Sequence, residues 1–251
     1  MPQDTAPHAQ LAPNLAEVRR RIADAAKAAG RAPEAVTLLA VSKTFEAGAV
    51  SAALDAGQRA FGENYVQEGV AKIATLASLR EELQWHLIGP LQSNKTRLVA
   101  EQFDWVHSVD RLRIAERLSE QRPLGIASLQ ICVQVNISGE ESKSGFTPQE
   151  TDAAVLAVAR LPQLRLRGLM AIPEPAEGEA PSRAPLAAMR KLFDQCNAAL
   201  SAAGLAPMDT LSMGMSADLE TAILEGATMV RVGTAIFGAR DYAGAGKGLA
   251  R

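Results

Sequence analysis

The chain of 251 residues is long enough to bury a substantial core, and its composition, 47% hydrophobic and 22% charged, is that of a globular protein. A formal net charge of −2 and a pI near 6.0 provide no attraction to nucleic acid or to an anionic membrane surface. The N-terminus lacks a basic start followed by an apolar stretch, and no apolar run reaches membrane-spanning length, so the sequence predicts a cytoplasmic protein.

The N-terminal segment is polar and contains prolines, and we expect residues 1–13 to be a disordered lead before a single domain over residues 14–251. Asn14 is expected to cap an N-terminal helix that ends at Gly30. The apolar stripe of this helix comprises Leu15, Val18, Ile22 and Ala26.

Eight apolar, strand-like runs follow along the chain. They cover residues 36–43, 59–65, 84–89, 105–110, 129–136, 164–172, 209–215 and 229–238. Helical segments lie between them, and the best defined begins with the capping box Thr147–Glu150 and with Pro148 at its first position. A proline- and glutamate-rich stretch, 173–185, is expected to be a loop.

This repeated alternation of strands and helices predicts a single (β/α)8 TIM barrel with an extra N-terminal helix, a fold of about 250 residues. A doubly wound open sheet is the main alternative. The absence of a G-x-G-x-x-G turn after the first strand disfavours the open sheet without excluding it.

The first strand-like run ends on a charged residue, Lys43, directly after Ser42. Active sites of (β/α)8 barrels lie at the carboxyl ends of the strands, which places Lys43 at the barrel mouth. Burial lowers the pKa of a lysine toward the neutral amine, and a neutral amine can form a Schiff base with an aldehyde. The alternative is a lysine that only extends to solvent from a strand end, and position alone favours that alternative.

The loops after the seventh and eighth strands are the usual phosphate site of this fold. Here both loops carry glycines, which allow close approach of backbone N–H groups, and hydroxyl side chains. These residues are Ser212, Gly214, Ser216, Gly233, Thr234 and Gly238. Ser216 is also predicted to cap a helix, where free N–H groups favour an anion. Taken one at a time, each glycine is better explained as an ordinary turn residue.

Arg231 lies two residues before Gly233 and therefore shares its face of the strand. A guanidinium near a barrel mouth needs an anion or an acidic partner. We expect Arg231 to contact a ligand rather than the core, and a salt bridge on the helix-facing side is the alternative. An amine across the mouth from a phosphate site matches pyridoxal 5′-phosphate, which carries both an aldehyde and a phosphate.

Long motifs of the chain resemble those of the pyridoxal-phosphate homeostasis proteins, the YggS/PROSC family. These motifs are AVSKTF, FGENYVQE, WHLIGPLQSNK, VNISGEESKSGF, GLMAIP, LSMGMSADLETAI and VRVGTAIFGARDY, and they extend from Val36 to Tyr242. The resemblance implies a barrel like the N-terminal domain of alanine racemase, with pyridoxal phosphate held on Lys43. It places the phosphate at Ser212, Ser216, Arg231, Gly233 and Thr234, with Arg231 at either the phosphate or the pyridine nitrogen. It places Asn64 and Met170 near the cofactor ring.

The resemblance also implies a protein that binds and delivers the cofactor in vitamin B6 homeostasis, without an established turnover reaction. Its expected partners are pyridoxal phosphate and apo-enzymes that use it, and we expect a monomer that binds neither nucleic acid nor a membrane. The alternative is an amino-acid racemase of low activity. We expect no second domain to supply the opposite-face tyrosine of a racemase, and only Tyr65 and Tyr242 are available. A Schiff-base aldolase acting on a sugar phosphate is a third reading.

Neither cysteine, Cys132 or Cys196, has metal-ligand spacing, and both are expected to be free thiols. His86 and His107 lie in strand-like runs, where each is as readily a core histidine as a site residue. Lys143, in the polar loop 136–146, is expected to be solvated.

Overall fold

A computed structural model describes residues 8–140, 143–173 and 183–238. Within them the chain forms a closed barrel of eight parallel strands in sequential order, with the eighth strand beside the first. The strands are β1 (Thr37–Val41), β2 (Ala60–Glu63), β3 (Gln84–Leu87), β4 (Trp105–Val109), β5 (Leu129–Gln134), β6 (Leu164–Met170), β7 (Thr210–Ser212) and β8 (Met229–Val232). Each lies inside one of the eight predicted runs, and the predicted barrel is confirmed over the open sheet.

Helices cover the outside of the barrel. They are α1 (Leu11–Ala28), α2 (Ala47–Asp55), α3 (Val66–Thr75), α4 (Thr96–Gln102), α5 (Leu112–Gln121), α6 (Pro148–Val158), α7 (Ala184–Ala202), α8 (Leu219–Leu224) and α9 (Thr234–Phe237). None of these helices is both long enough and apolar enough to cross a lipid bilayer.

The N-terminal helix begins at Leu11, earlier than the predicted start at Asn14. Pro13 is compatible with this start because it lies in the first turn, where a backbone N–H has no helical acceptor. Asn14 does not cap the helix; its side-chain amide donates to the carbonyl of Ile236, at 2.9 Å. The division into a lead and one domain stays a prediction, because residues 1–7 and 239–251 lie outside the described residues.

The predicted capping box of α6 is confirmed. The Thr147 hydroxyl accepts from the backbone N–H of Glu150, and the Glu150 carboxylate accepts from the N–H of Thr147 at 2.9 Å. The eighth strand is shorter than the run 229–238 predicted, because the chain turns into α9 at Thr234. Most of the predicted loop 173–185 and Tyr242 lie outside the described residues.

Two apolar layers are separated by the strands. The larger one packs the helices against the outer face of the barrel. The smaller one fills the barrel interior, and its members are Leu39, Ala60, Trp105, Cys132, Met170 and Met229. Because side chains alternate along a strand, Leu39 and Met229 define the inward positions of β1 and β8. Arg231 therefore points into the barrel, with Met229.

Candidate functional site at the barrel mouth

Lys43 follows β1 in a tight turn at the carboxyl end of the barrel. The strand ladder continues to Ser42, whose N–H donates to the carbonyl of Gly62 at 3.0 Å. Lys43 is partly exposed, and the next residue, Thr44, has a left-handed backbone with φ of 69°. The turn thus directs the chain out of the sheet at Lys43, the residue predicted to react with the cofactor.

The structure brings the predicted cofactor residues together on five adjacent strands. In order around the barrel they are Asn64 after β2, Lys43 after β1, Gly233 and Thr234 after β8, Ser212 at the end of β7 with Ser216 in the turn that follows, and Met170 at the end of β6. The expected phosphate loop is beside Lys43 rather than across the mouth from it. This differs from the sequence-based expectation because closure of the barrel pairs β1 directly with β8.

Gly233 and Thr234 form the start of α9, next to the Lys43 turn. A Cβ atom on Gly233 would lie 3.2 Å from the carbonyl oxygen of Val41, so a larger residue would crowd the two strand ends. Thr234 is exposed at the rim. Both residues therefore offer a backbone and a hydroxyl to a group bound at the mouth.

Ser216 lies in the turn after β7, partly exposed. It is not the cap of α8, as predicted, because the helix begins later, with Asp218 at the N-cap. Asp218 instead closes the turn by accepting from the N–H of Met215, at 2.6 Å. Gly214 has φ of +94°, and a Cβ there would lie 2.5 Å from the Cβ of Ala222, so this turn requires glycine.

Arg231 lies inside the barrel and is only 4% exposed. Its Nη1 donates to the carbonyl and the hydroxyl of Ser212, both at 2.7 Å, and its Nη2 donates to the carbonyl of Ala171 at 2.8 Å. No carboxylate pairs with it among the described residues, and burial lowers the pKa of the guanidinium to about 10. The alternative of a helix-facing salt bridge is wrong. The expectation that Arg231 avoids the core is also wrong.

A chain of buried polar groups continues from Ser212 through the barrel. Ser212 Oγ lies 3.0 Å from His107 Nδ1, His107 Nε2 lies 2.9 Å from His86 Nδ1, and His86 Nε2 lies 3.0 Å from Oε1, the side-chain oxygen of Gln84. Burial lowers the pKa of His86 to about 3 and that of His107 well below its usual value, so both imidazoles are neutral. Both are core histidines.

The hydrogen bonds between these four side chains all run in the same direction, from Ser212 to Gln84. Because the Gln84 oxygen can only accept, His86 Nε2 donates to it and His86 Nδ1 accepts from His107. His107 Nδ1 must then accept from the Ser212 hydroxyl, which itself accepts from Arg231. Protein groups therefore use the Ser212 hydroxyl as both donor and acceptor, and Ser212 holds Arg231 below the mouth.

The two residues predicted to lie near the cofactor ring, Asn64 and Met170, are at different depths below the barrel mouth. Asn64 is partly exposed and, by alternation from the inward-facing Ala60, points into the mouth. Met170 is fully buried in the interior layer beneath it. A cleft of about 270 Å³ opens at the same end of the barrel, lined by Ile88, Ile172 and Lys143 among others. Lys143 pairs with Glu140 at 2.7 Å and is therefore not simply solvated.

A charged cluster that was not predicted from the sequence lies behind the Lys43 turn. Lys72 on α3 contacts Glu63 at the end of β2, at 2.8 Å, and Glu68 on α3, at 2.7 Å. The signal that could have revealed it is the carboxylate of Glu63 in the otherwise apolar run of β2. The pair Glu68 and Lys72 gave no such signal, because a spacing of four residues usually marks an exposed helix pair.

Comparisons with known proteins show the family to which this chain belongs. The family model described as alanine racemase, N-terminal domain, matches residues 14–241. A pyridoxal phosphate homeostasis protein of Pseudomonas aeruginosa is 60% identical over 232 residues, which cover 92% of this chain and 96% of the relative. A protein of the same name from Escherichia coli K12 is 56% identical over 237 residues, covering 92% and 97%.

A solved structure of PipY from Synechococcus elongatus, with pyridoxal phosphate bound, is similar to this chain throughout. Its TM-score is 0.77 at 40% sequence identity, and the match covers 91% of this chain and 100% of PipY. The barrel, its mouth and these relatives lead to one conclusion. The chain belongs to the pyridoxal phosphate homeostasis protein family and has the fold of the alanine racemase N-terminal domain.

Proposed function

We propose that this protein binds pyridoxal 5′-phosphate at the barrel mouth, with Lys43 as the residue that holds the cofactor covalently. The observation that carries the proposal is the position of Lys43 beside Gly233 and Thr234 on the neighbouring strand, above a buried Arg231. The structure of PipY with pyridoxal phosphate bound, at 40% identity to this chain, supports the choice of this ligand.

The residues present fit the chemistry of this cofactor. Three N–H groups of Arg231 bond to protein oxygens, while its Nε–H and the second Nη2–H have no acceptor among the described residues. A buried guanidinium with donors to spare and no carboxylate partner suits an electron-rich ligand atom. Arg231 therefore forms the floor of the proposed site.

The phosphate is proposed to lie against the loops after β7 and β8. Ser216, Gly233 and Thr234 are at the rim, where hydroxyl and backbone N–H groups can reach a phosphate. Ser212 is proposed to act one step below, by orienting Arg231, because its hydroxyl is already occupied. Asn64 contacts the open side of the ring, and Met170 supports the ring from the interior layer.

The covalent chemistry belongs to one residue. The aldehyde of pyridoxal phosphate is the group with which a neutral lysine amine forms a Schiff base. Lys43 is proposed to supply that amine, while the rim loops hold the phosphate and Arg231 holds the floor. The site is shallow, since Lys43 is partly exposed and Thr234 is exposed, which suits a cofactor that is loaded and released.

We assign the protein to intracellular cofactor homeostasis rather than to efficient racemisation. Racemisation requires a proton donor and acceptor on each face of the substrate α-carbon. Among the described residues Tyr65 is the one tyrosine; it follows β2 and is 62% exposed. An exposed phenol in an open mouth gives poor control of a carbanion. Apo-enzymes as recipients, a monomeric state and a cytoplasmic location stay predictions.

Borohydride reduction of the cofactor-loaded protein, followed by peptide mapping, tests the assignment. We expect one reduced adduct, on Lys43, and none on that peptide in Lys43→Ala. Lys27→Ala, which removes an exposed lysine of α1, is the control and should trap as the wild type does. An adduct that maps elsewhere in the wild type contradicts the proposed role of Lys43.

Two further outcomes separate the alternative functions. Chiral chromatography measures the conversion of a single-enantiomer amino acid to its mirror image. Sustained conversion that Lys43→Ala abolishes would establish the racemase. A protein that cannot be loaded with pyridoxal phosphate at any concentration would remove both cofactor functions and leave a sugar-phosphate aldolase. We expect loading without sustained racemisation.

A further inference from the structure

The backbone on both sides of Lys43 is held by side chains from other elements. Lys72 Nζ donates to the carbonyl of Ser42 at 2.7 Å, and the Ser42 hydroxyl donates to the Glu63 carboxylate at 2.6 Å. On the other side, the N–H of Thr44 donates to the Glu68 carboxylate. We call Glu63, Glu68 and Lys72 the Lys72 cluster; it joins β2 and α3 to the turn after β1.

The hydrogen bonds of Lys72 are fully used within this arrangement. An ammonium has three N–H donors, and these are directed to the Ser42 carbonyl, Glu63 Oε1 and Glu68 Oε1. The side chain of Lys72 is 7% exposed and that of Glu63 is fully buried. Lys72 is thus a fixed structural cation, while Lys43, on the opposite side of the same turn, is the lysine at the mouth.

The turn needs this support because its own geometry is unfavourable. Thr44 has φ of 69°, a left-handed conformation that is uncommon for a β-branched residue. The Phe45 N–H closes the turn on the Ser42 carbonyl at 3.1 Å, the same oxygen that Lys72 binds. The Glu68 carboxylate accepts the N–H of the strained residue itself. The cluster therefore acts at the two peptide units that fix the direction of the Lys43 side chain.

The cluster is costly to maintain, which argues for a role beyond packing. Burying an ion pair rarely stabilises a fold more than well-packed apolar residues would. Glu63 Oε2 is buried without a hydrogen-bond partner among the described residues, and burial raises the pKa of this carboxyl, opposed by Lys72 and Ser42. Three directional hydrogen bonds of the cluster nevertheless end on Ser42 and Thr44, and these bonds hold the backbone of the turn.

We propose that Lys72, Glu63 and Glu68 are positioning residues for Lys43: they hold the turn so that its amine is directed at the bound aldehyde. This inference rests on the proposed function, because it assumes that Lys43 is the covalent residue. The cluster itself does not touch the cofactor, since Glu63 and Lys72 are on the helix-facing side of the strands.

A matched pair of variants separates positioning from general stability. Glu68→Ala removes the acceptor of the Thr44 N–H, and Asp104→Ala removes a similar group at the opposite end of the barrel. Both carboxylates are 27% exposed, and each accepts one backbone N–H and one cationic side chain; for Asp104 these are Trp85 and Arg80. Glu68→Gln keeps an oxygen acceptor and serves as the rescue variant.

A second variant removes the charges of the buried pair Glu63 and Lys72 together. Glu63→Met combined with Lys72→Met leaves no uncompensated buried ion, so folding should be preserved while both contacts to Ser42 are lost. Thermal melting without ligand confirms that each variant is folded at the assay temperature. This double variant decides the question if Glu68→Ala is too unstable to assay.

The readout compares two ligands that differ only at the reacting carbon. Pyridoxal phosphate forms the borohydride-trappable link, whereas pyridoxine 5′-phosphate carries an alcohol there and reports binding alone. In Glu68→Ala and in the double Met variant we expect trapping at Lys43 to slow by roughly tenfold to a hundredfold, since small misplacements of a reacting group have effects of that size.

Affinity for pyridoxine 5′-phosphate should stay within about twofold of the wild-type value, because the rim loops are untouched. Glu68→Gln should recover most of the rate, and Asp104→Ala should match the wild type.

A cofactor-free measurement keeps this inference distinct from the proposed function. Limiting fluorodinitrobenzene labels amines, and peptide mass spectrometry gives the rate at Lys43 relative to the exposed Lys27. In Glu68→Ala the labelling rate of Lys43 should become equal to that of Lys27. In Asp104→Ala the ratio of the two labelling rates should stay at its wild-type value. Wild-type protein that never traps pyridoxal phosphate on Lys43 would defeat the proposed function, and the labelling would still test the cluster. Unchanged trapping and labelling in both cluster variants would overturn the positioning role.

Discussion

Arg231 and Ser212 are joined by two hydrogen bonds from a single nitrogen: Arg231 Nη1 lies 2.7 Å from both the carbonyl and the hydroxyl oxygen of Ser212. The two residues are on neighbouring strands, so this contact fastens the end of β8 to the end of β7. The same hydroxyl continues to His107, at 3.0 Å. A residue predicted to bind phosphate thus links the guanidinium to a polar chain through the barrel.

Replacing Ser212 by alanine should destabilise the fold by about 1–3 kcal/mol, because His107 Nδ1 loses its donor and Arg231 loses an acceptor in a dry interior. Urea unfolding of the ligand-free protein measures the change. Ser216→Ala is the control: its side chain is partly exposed in the turn after β7, and the change should be within about 0.5 kcal/mol. Equal stability of the two variants would mean that the series of hydrogen bonds from Arg231 to Gln84 contributes nothing to the stability of the fold.

The two buried histidines should make the fold sensitive to acid. Burial lowers the pKa of His86 from 6.5 to about 3, so the folded protein keeps it neutral while the unfolded chain binds a proton below pH 6.5. The unfolded state then holds more protons, and stability falls as pH drops from about 6.5 toward about 3. Each such histidine contributes a slope of about 1.4 kcal/mol per pH unit in this window.

His86→Gln removes one of the two buried histidines. The variant keeps the same carboxylates as the wild type, so the difference in slope between the two proteins reports His86 together with its effect on the hydrogen-bonded His107. We expect the fall in unfolding free energy between pH 6 and pH 4 to be shallower in the variant by about 1.4 kcal/mol per pH unit. Parallel curves, whatever their offset, would show that His86 is charged in the folded protein or equally perturbed in the unfolded chain.

The sequence predicted the fold well because the strands of a parallel barrel are nearly continuous apolar runs, which periodicity detects. The position of Lys43 followed from the same pattern, since Lys43 ends the predicted run 36–43 that contains β1. The position of Gly233 at the mouth also followed, because Gly233 comes directly after the end of β8. These features depend on local sequence.

Features set by three-dimensional partners could not be predicted in this way. The inward direction of Arg231 depends on the register of β8, and its acceptors, Ser212 and Ala171, are 19 and 60 residues away in the sequence. The contact between Lys72 and Ser42 joins residues 30 positions apart. In each case a polar side chain is buried by a partner that no local pattern reveals.

The two cysteines should be inert in the folded protein. Cys132 is fully buried in the interior layer, where burial raises its pKa to about 12, and burial with the neighbouring Asp152 also raises the pKa of Cys196. A thiolate is the reactive form, so a water-soluble aromatic disulfide should release no colour at pH 7.5 without denaturant. In guanidinium chloride the same reagent should titrate two thiols per chain. Rapid reaction of the native protein would place one thiol at the surface.

Thr234→Val should weaken retention of pyridoxal phosphate without changing the stability of the ligand-free fold. Thr234 is exposed at the first position of α9, so valine keeps the shape and removes only the hydroxyl. Loss of one hydrogen bond to a charged phosphate corresponds to about 1.5–3 kcal/mol, a roughly tenfold or greater rise in the dissociation constant. Equilibrium dialysis measures the constant, and Thr234→Ser, which restores the hydroxyl, is the control. Tight binding by the valine variant would move the phosphate away from this loop, whereas weak binding by both variants would point to the methyl group rather than the hydroxyl.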